Sequence, residues 1–191
     1  TDQPGVPMLD TTLTCKDGKA TLAVAQSRYA PIGATFPTTG EWLVPMCVRV
    51  GRGDRSAVEC HLLDTVTSTV ALSGETCPDY VHPNADGAGY YRFRLDSDAQ
   101  TALNAAFAKL NPFEQRVLAD SVGAAFNAGT LNVTQFLDTA PRFATAKQGD
   151  VITAPLGNLE WIKEYVATSA QRDRIDAMLR EIWGAQLQTL G

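Results

Sequence analysis

The sequence predicts a two-domain chain, β then α: an antiparallel, immunoglobulin-like β-sandwich over residues 1–96, then an α-helical segment over residues 97–191. Three observations carry this. Residues 1–96 alternate apolar and polar side chains at the period of a strand, with Gly, Pro and Asp between the runs. From Ser97 onward the apolar period becomes that of a helix. No Gly/Ser-rich spacer separates the halves, so they are expected to pack directly on one another.

The strands come first. "MLDTTLTC", Asp17-Gly18 and "ATLAVAQSRY" form a hairpin signature, with Leu22, Val24 and Gln26 on one face. In "EWLVPMCVRV" the residues Trp42, Val44, Met46, Val48 and Val50 share a face. "SAVECHLLDTVTSTVAL" is rich in Val and Thr, and "YYRFRLD" closes the half as a strand starting at Tyr90.

The four cysteines, at 15, 47, 60 and 77, all fall in this half, and none makes a C-x-x-C pair of the kind zinc ribbons use. An even count so placed suits two disulfides and an oxidising compartment; four buried thiols in a reducing one is the competing reading. A hairpin centred on Gly53-Asp54 sets Cys47 opposite Cys60, close enough to bridge, which leaves Cys15 for Cys77. That register also places Glu59 opposite Val48 on an apolar face, a conflict that a bulge or register shift would relieve.

The helices follow. Ala99, Leu103, Ala106, Phe107 and Leu110 form one stripe, and Phe113, Val117, Ser121 and Ala125 continue it in a second helix that Gly129 can end. Capping-box spacing marks four starts: Ser97/Gln100, Asn111/Glu114, Asn132/Gln135 and Thr168/Gln171, with Pro112 at a first helical position. The last helix carries Ile175, Leu179, Ile182, Trp183 and Leu187.

Composition narrows the function. A net charge of -5 without a basic block argues against nucleic acid as a partner. No apolar run reaches membrane-spanning length. The chain starts at Thr1, not Met, so its true N-terminus is expected to lie upstream.

No catalytic constellation emerges, and neither a catalytic, a cofactor-binding nor a metal-ligating residue is expected. His61 reads as a strand residue and His82, before Pro83, as a loop residue; neither belongs to H-E-x-x-H. Ser56 and Ser73-Gly74 lack the G-x-S-x-G elbow. In "HPNADGAGYYRFRLD" the residues Asn84, Asp86 and Gly87 have turn chemistry; Asp86 alone cannot supply a calcium loop's carboxylates, and a strand follows where a dinucleotide site needs a helix. Arg52-Gly53-Asp54 spells an integrin-binding tripeptide where a hairpin needs its tip. Trp42, Trp161 and Trp183 sit in apolar patterns expected to be core, and Arg172, Asp173 and Arg174 read as a solvated helix face.

The succession of motifs resembles the aminopeptidase N (membrane alanyl aminopeptidase) family of zinc metallopeptidases, in its C-terminal, non-catalytic region. "HPNADGAGYYR" resembles the "PN-x-x-G-x-GYYR" segment near the end of that family's β-sandwich domain. "GVPML", "LAVAQSRY" and "EWLVPMCV" look like its "G-x-P", "Q-x-R-[FY]" and "W-x-[IV]-P" strands, in the same order. "LNPFEQRVLADSVGAAFNAGTLNVTQFLD" looks like the opening of its helical domain. The order of these motifs along the whole chain carries the resemblance.

The resemblance implies a sandwich linker plus the first helices of an α-helical solenoid, a fragment bracing a catalytic domain and helping to wall its peptide cavity. Zinc, H-E-x-x-H and the G-x-M-E-N substrate-amine site belong to that absent domain, so no family metal or catalytic residue carries over. The partners implied are that domain of the same polypeptide and the peptide substrates of the intact enzyme, which would remove N-terminal residues. A truncated array is expected to leave the face of Leu179, Ile182, Trp183 and Leu187 under-covered. The alternatives are an extracellular adhesion module presenting Arg52-Gly53-Asp54, and a relative whose full chain is inactive. The location is extracytoplasmic as far as the disulfides hold.

Overall fold

A computed structural model describes residues 4–184. Among these residues, seven strands precede six α-helices. Strands β1 (Pro7–Lys16) and β2 (Lys19–Arg28) form a hairpin whose two-residue turn puts Asp17 and Gly18 at φ 51 and 76. Both values are left-handed, as the turn matching strand twist requires. β5 (Thr67–Leu72) pairs antiparallel with β2, while β7 (Arg92–Leu95) pairs with β1, giving the order β5-β2-β1-β7.

The β1–β7 pair is parallel, with Met8 opposite Arg92 and Thr11 opposite Leu95. The sheet is therefore mixed, which corrects the all-antiparallel expectation. Parallel neighbours need a long crossover, and here residues 17–91 supply it. The Thr11 hydroxyl donates to the Arg94 carbonyl at 2.9 Å, stitching the pair.

A second sheet has the order β4-β3-β6, from β4 (Arg55–Leu63), β3 (Val44–Arg52) and β6 (Tyr80–His82). Its hairpin turns on Gly53-Asp54, with Arg52 opposite Arg55 and Cys47 opposite Cys60. No register shift is needed for Glu59 opposite Val48, because its carboxylate accepts the Ser73 backbone N–H (2.9 and 3.1 Å). The disulfides are Cys47–Cys60 and Cys15–Cys77, Cα–Cα 4.0 and 5.7 Å, and they suit an oxidising compartment. Leu9, Leu22 and Val24 of the first sheet share one buried cluster with Val44, Met46, Val48 and Val50 of the second. Gln26 is buried among them because its amide is spent on Trp42 and Thr65.

The helices are α1 (Ser97–Ala105), α2 (Pro112–Asn127), α3 (Val133–Thr139), α4 (Gly149–Thr153), α5 (Leu156–Tyr165) and α6 (Ser169–Ile182). Capping boxes open α2, α3 and α6 at Asn111/Glu114, Asn132/Gln135 and Thr168/Gln171. The cap of α1 falls one residue earlier than expected. Asp96, not Ser97, accepts from the Asp98 and Ala99 amides, and its second oxygen accepts from Leu13 N at 2.9 Å. One carboxylate thus caps the first helix and ties it to β1.

The stripe from Ala99 to Leu110 is buried, although a 3-10 turn at Phe107–Lys109 interrupts the helix. In α2 the expected face is rotated: Phe113 is 63% exposed, while Glu114, Leu118, Ser121, Val122 and Ala125 face inward. Trp161, expected as core, is 49% exposed. Trp183 is buried, its indole N–H donating to the Ile152 carbonyl at 2.7 Å. Leu179 and Ile182 are half-buried against the core, so the face expected to lack cover is in part closed by this chain; Leu187 lies outside the described residues.

Candidate functional site

The residues that carry the strongest sequence signal, 82–92, form a seam between the strand half and α2. Asn84 organises it from a position 1% exposed. Its amide donates to the Gly89 carbonyl (2.8 Å) and the Tyr91 carbonyl (3.3 Å), and its oxygen accepts from Gly89 N–H (2.9 Å). A buried carboxamide so bonded fixes a loop without leaving polar groups unpaired. Tyr90 is left exposed, and the strand starts at Arg92, two residues later than expected, because the turn holds this backbone.

The glycines serve close approach. Gly87 has φ 62 and packs on α2, where an added Cβ would lie 3.1 Å from Phe113 Cβ. At Gly89 a Cβ would meet the Tyr91 ring at 2.0 Å. The Tyr91 hydroxyl donates to the Pro83 carbonyl at 2.8 Å, and burial pushes its pKa up. Arg92 forks onto Asp120 of α2 (2.7 and 3.1 Å) and lies over the Tyr29 ring, 4.4 Å from its centroid.

Two charged groups meet beneath this turn. Arg49 of β3 donates through Nε to Glu114 Oε1 (2.6 Å), through one terminal nitrogen to Asp86 Oδ1 (2.7 Å) and through the other to Ser56 Oγ (3.3 Å). Glu114 has 0% exposure, so its charge depends on partners. It also accepts Asp86 N–H at 3.1 Å and, as half of the α2 capping box, Asn111 N–H at 3.1 Å. Burial works to lower the Arg49 pKa, but the hydrogen bond and charge of Glu114 and the charge of Asp86 outweigh it, leaving the guanidinium above its ordinary value. Asp86 tolerates φ 57 because a short polar side chain suits the left-handed region, and its carboxylate also accepts from Asn111 Nδ2 at 2.7 Å.

His82 is a correction to the loop expected from sequence: it ends β6 and has 0% exposure. Nδ1 accepts Asn84 N–H at 3.2 Å, which puts the ring proton on Nε2, 3.0 Å from the Glu114 carbonyl. Burial lowers its pKa to about 4, against the pull of Glu114. The imidazole is neutral at pH 7.

Chemically, this arrangement is a clamp. Both Glu114 oxygens and both His82 nitrogens are engaged within the protein, so neither group is held ready to move a substrate proton. His61 lies on β4, with β3 between it and His82. Among the described residues no group of three or more His, Cys, Asp or Glu is placed to hold a metal ion.

Other motifs settle into local roles. At the hairpin tip Gly53 has φ 58, its N–H donates to the Asp79 carboxylate, and its carbonyl accepts from Lys109 Nζ at 2.9 Å. Arg52 folds back to donate from Nε to the Thr76 carbonyl at 2.8 Å, the geometry of a pinned turn. Arg172, Asp173 and Arg174 are exposed, and Arg172 satisfies carbonyls at the end of α5. A cleft of about 410 Å³ beside the seam is lined by Arg92, Arg116, Asp120 and Asp150, but these charges are paired with one another.

Sequence reasoning found the turn and missed the clamp. The capping-box spacing flagged Glu114, yet its partner lies 65 residues away, a separation that leaves no local pattern.

Comparison with known proteins adds an independent line. Residues 80–191 match the family model described as ERAP1-like C-terminal domain, from β6 through the helices. The puromycin-sensitive aminopeptidase of Caenorhabditis elegans is 24% identical over 154 residues, which cover 80% of this chain and 16% of that protein. The chain thus spans about a sixth of the length of this curated relative.

Proposed function

The chain belongs to the ERAP1-like C-terminal domain family, and from that premise we propose that it is a non-catalytic part of an aminopeptidase. The observation that carries this reading is the family match over residues 80–191, which includes the turn at residues 82–92 and α2. Physically, the seam joins strands to helices through a buried ion pair, a capped helix start and close-packed glycines. Such a joint suits a rigid brace.

On this reading the strand half is an immunoglobulin-like sandwich linker and the helices open a solenoid. The two hold a zinc-dependent catalytic domain, elsewhere in the same polypeptide, and help to wall its peptide cavity. The intact protein removes N-terminal residues from peptides and, given two disulfides, works outside the cytoplasm. The adhesion alternative is disfavoured by Arg52, which is bonded back onto its own domain instead of offered outward.

The isolated chain, supplied with zinc, is expected to release no product from aminoacyl arylamides. Turnover that a chelator abolishes would place the chemistry on these residues and overturn the proposal.

A further inference from the structure

His82 is a fully buried ionisable group that the ion pairs of the seam leave aside. Its ring stands edge-on to Phe93, with centroids 5.0 Å apart, and links β6 to the first turn of α2. Each ring nitrogen faces a partner with a fixed role. The Asn84 amide N–H can only donate, and the Glu114 carbonyl can only accept. The neutral Nε2–H form satisfies both. A second proton, on Nδ1, would set N–H against N–H at the residue that holds the whole turn.

The surrounding charges do not rescue the charged ring. The Glu114 carboxylate on α2 attracts it and Arg49 on β3 repels it, and these two are already joined at 2.6 Å; Asp86 holds the far side of Arg49. Burial outweighs them all, and the folded ring resists protonation down to about pH 4.

We propose that the seam is a proton-operated latch: protonating His82 detaches the Asn84 turn from the first turn of α2, loosening the strand half from the helical half in acid. The latch stands whether or not the chain serves an aminopeptidase. An opened seam returns the ring to an ordinary pKa near 6.5. Below that pH each unit favours the open form about tenfold, until the closed ring also titrates near pH 4. Above pH 6.5 the dependence vanishes.

Amide hydrogen exchange on the complete chain, corrected for intrinsic rates between pH 7.5 and 4.5, tests this together with nitrogen spectra of the ring. The Asn84, Asp86 and Gly89 amides are expected to be less protected than those of the β1–β2 ladder. They should also lose about tenfold in protection per unit below pH 6.5. Protection that ignores pH below 6.5 overturns the latch. So does protection equal to the ladder's at every pH, which would mean that His82 titrates only when the whole chain unfolds. A ring that is charged, or protonated on Nδ1, at pH 7 also overturns it.

Discussion

Arg49 Nε lies 2.6 Å from Glu114 Oε1, so a guanidinium on strand β3 neutralises a carboxylate with no solvent exposure on helix α2. Removing one partner strands the other. Arg49→Met is expected to destabilise the fold by about 3–5 kcal/mol, because Glu114 is then buried without a counter-charge. Adding Glu114→Gln should recover part of that loss, so urea denaturation of the two single variants and the double is expected to show a sum larger than the double. Strictly additive losses would mean that the pair is not coupled.

The glycine at 89 gives a steric prediction. Gly89→Ala drives a methyl into the Tyr91 ring and should cost roughly 1–3 kcal/mol. Tyr91→Phe keeps the ring and loses the hydrogen bond to the Pro83 carbonyl, costing about 1 kcal/mol. If both variants melt like the parent chain, the turn does not hold the seam.

The two disulfides should differ in worth. Cys15–Cys77 spans 62 residues of sequence and Cys47–Cys60 spans 13, the latter already aligned by the β3–β4 ladder. Loop-closure entropy makes replacement of the first pair by serine costlier by roughly 1 kcal/mol. Thermal melts of the two double-serine variants decide the order, and a greater loss from the Cys47/Cys60 variant would contradict it.

His82 makes stability pH-dependent with a definite sign. Its folded pKa, about 4, lies below the unfolded value near 6.5, so the unfolded chain takes up a proton first as pH falls. The contribution is fully present above pH 6.5 and is lost between about 6.5 and 4, on the order of 3 kcal/mol in all. Denaturation at pH 7, 5.5 and 4.5 should show a steeper decline for the parent chain than for His82→Gln, which cannot titrate there. Equal slopes would assign the acid sensitivity to other groups.

What the sequence disclosed was local. Asp17-Gly18 and Gly53-Asp54 fixed two hairpins, and the second set the Cys47–Cys60 register, because turn chemistry and a period of two act over a few residues. Three capping boxes marked helix starts for the same reason. The parallel β1–β7 pair stayed hidden, since strands joined through 75 intervening residues carry no shared turn signal. In α2 the apolar stripe placed Phe113 inward; the structure turns it outward and buries Glu114, because Arg49, distant in sequence, makes the carboxylate buriable. His82 went unread in the same way, because the Glu114 carbonyl that fixes its ring lies 32 residues away.

The central claim is that this chain is a non-catalytic part of an aminopeptidase. The most direct test is to isolate the native polypeptide with an antibody raised against residues 4–184, determine its mass, and assay it on an aminoacyl arylamide with and without chelator. The account predicts a polypeptide much longer than 191 residues whose activity the chelator abolishes. A native polypeptide of this length alone, or a longer one without aminopeptidase activity, would contradict it.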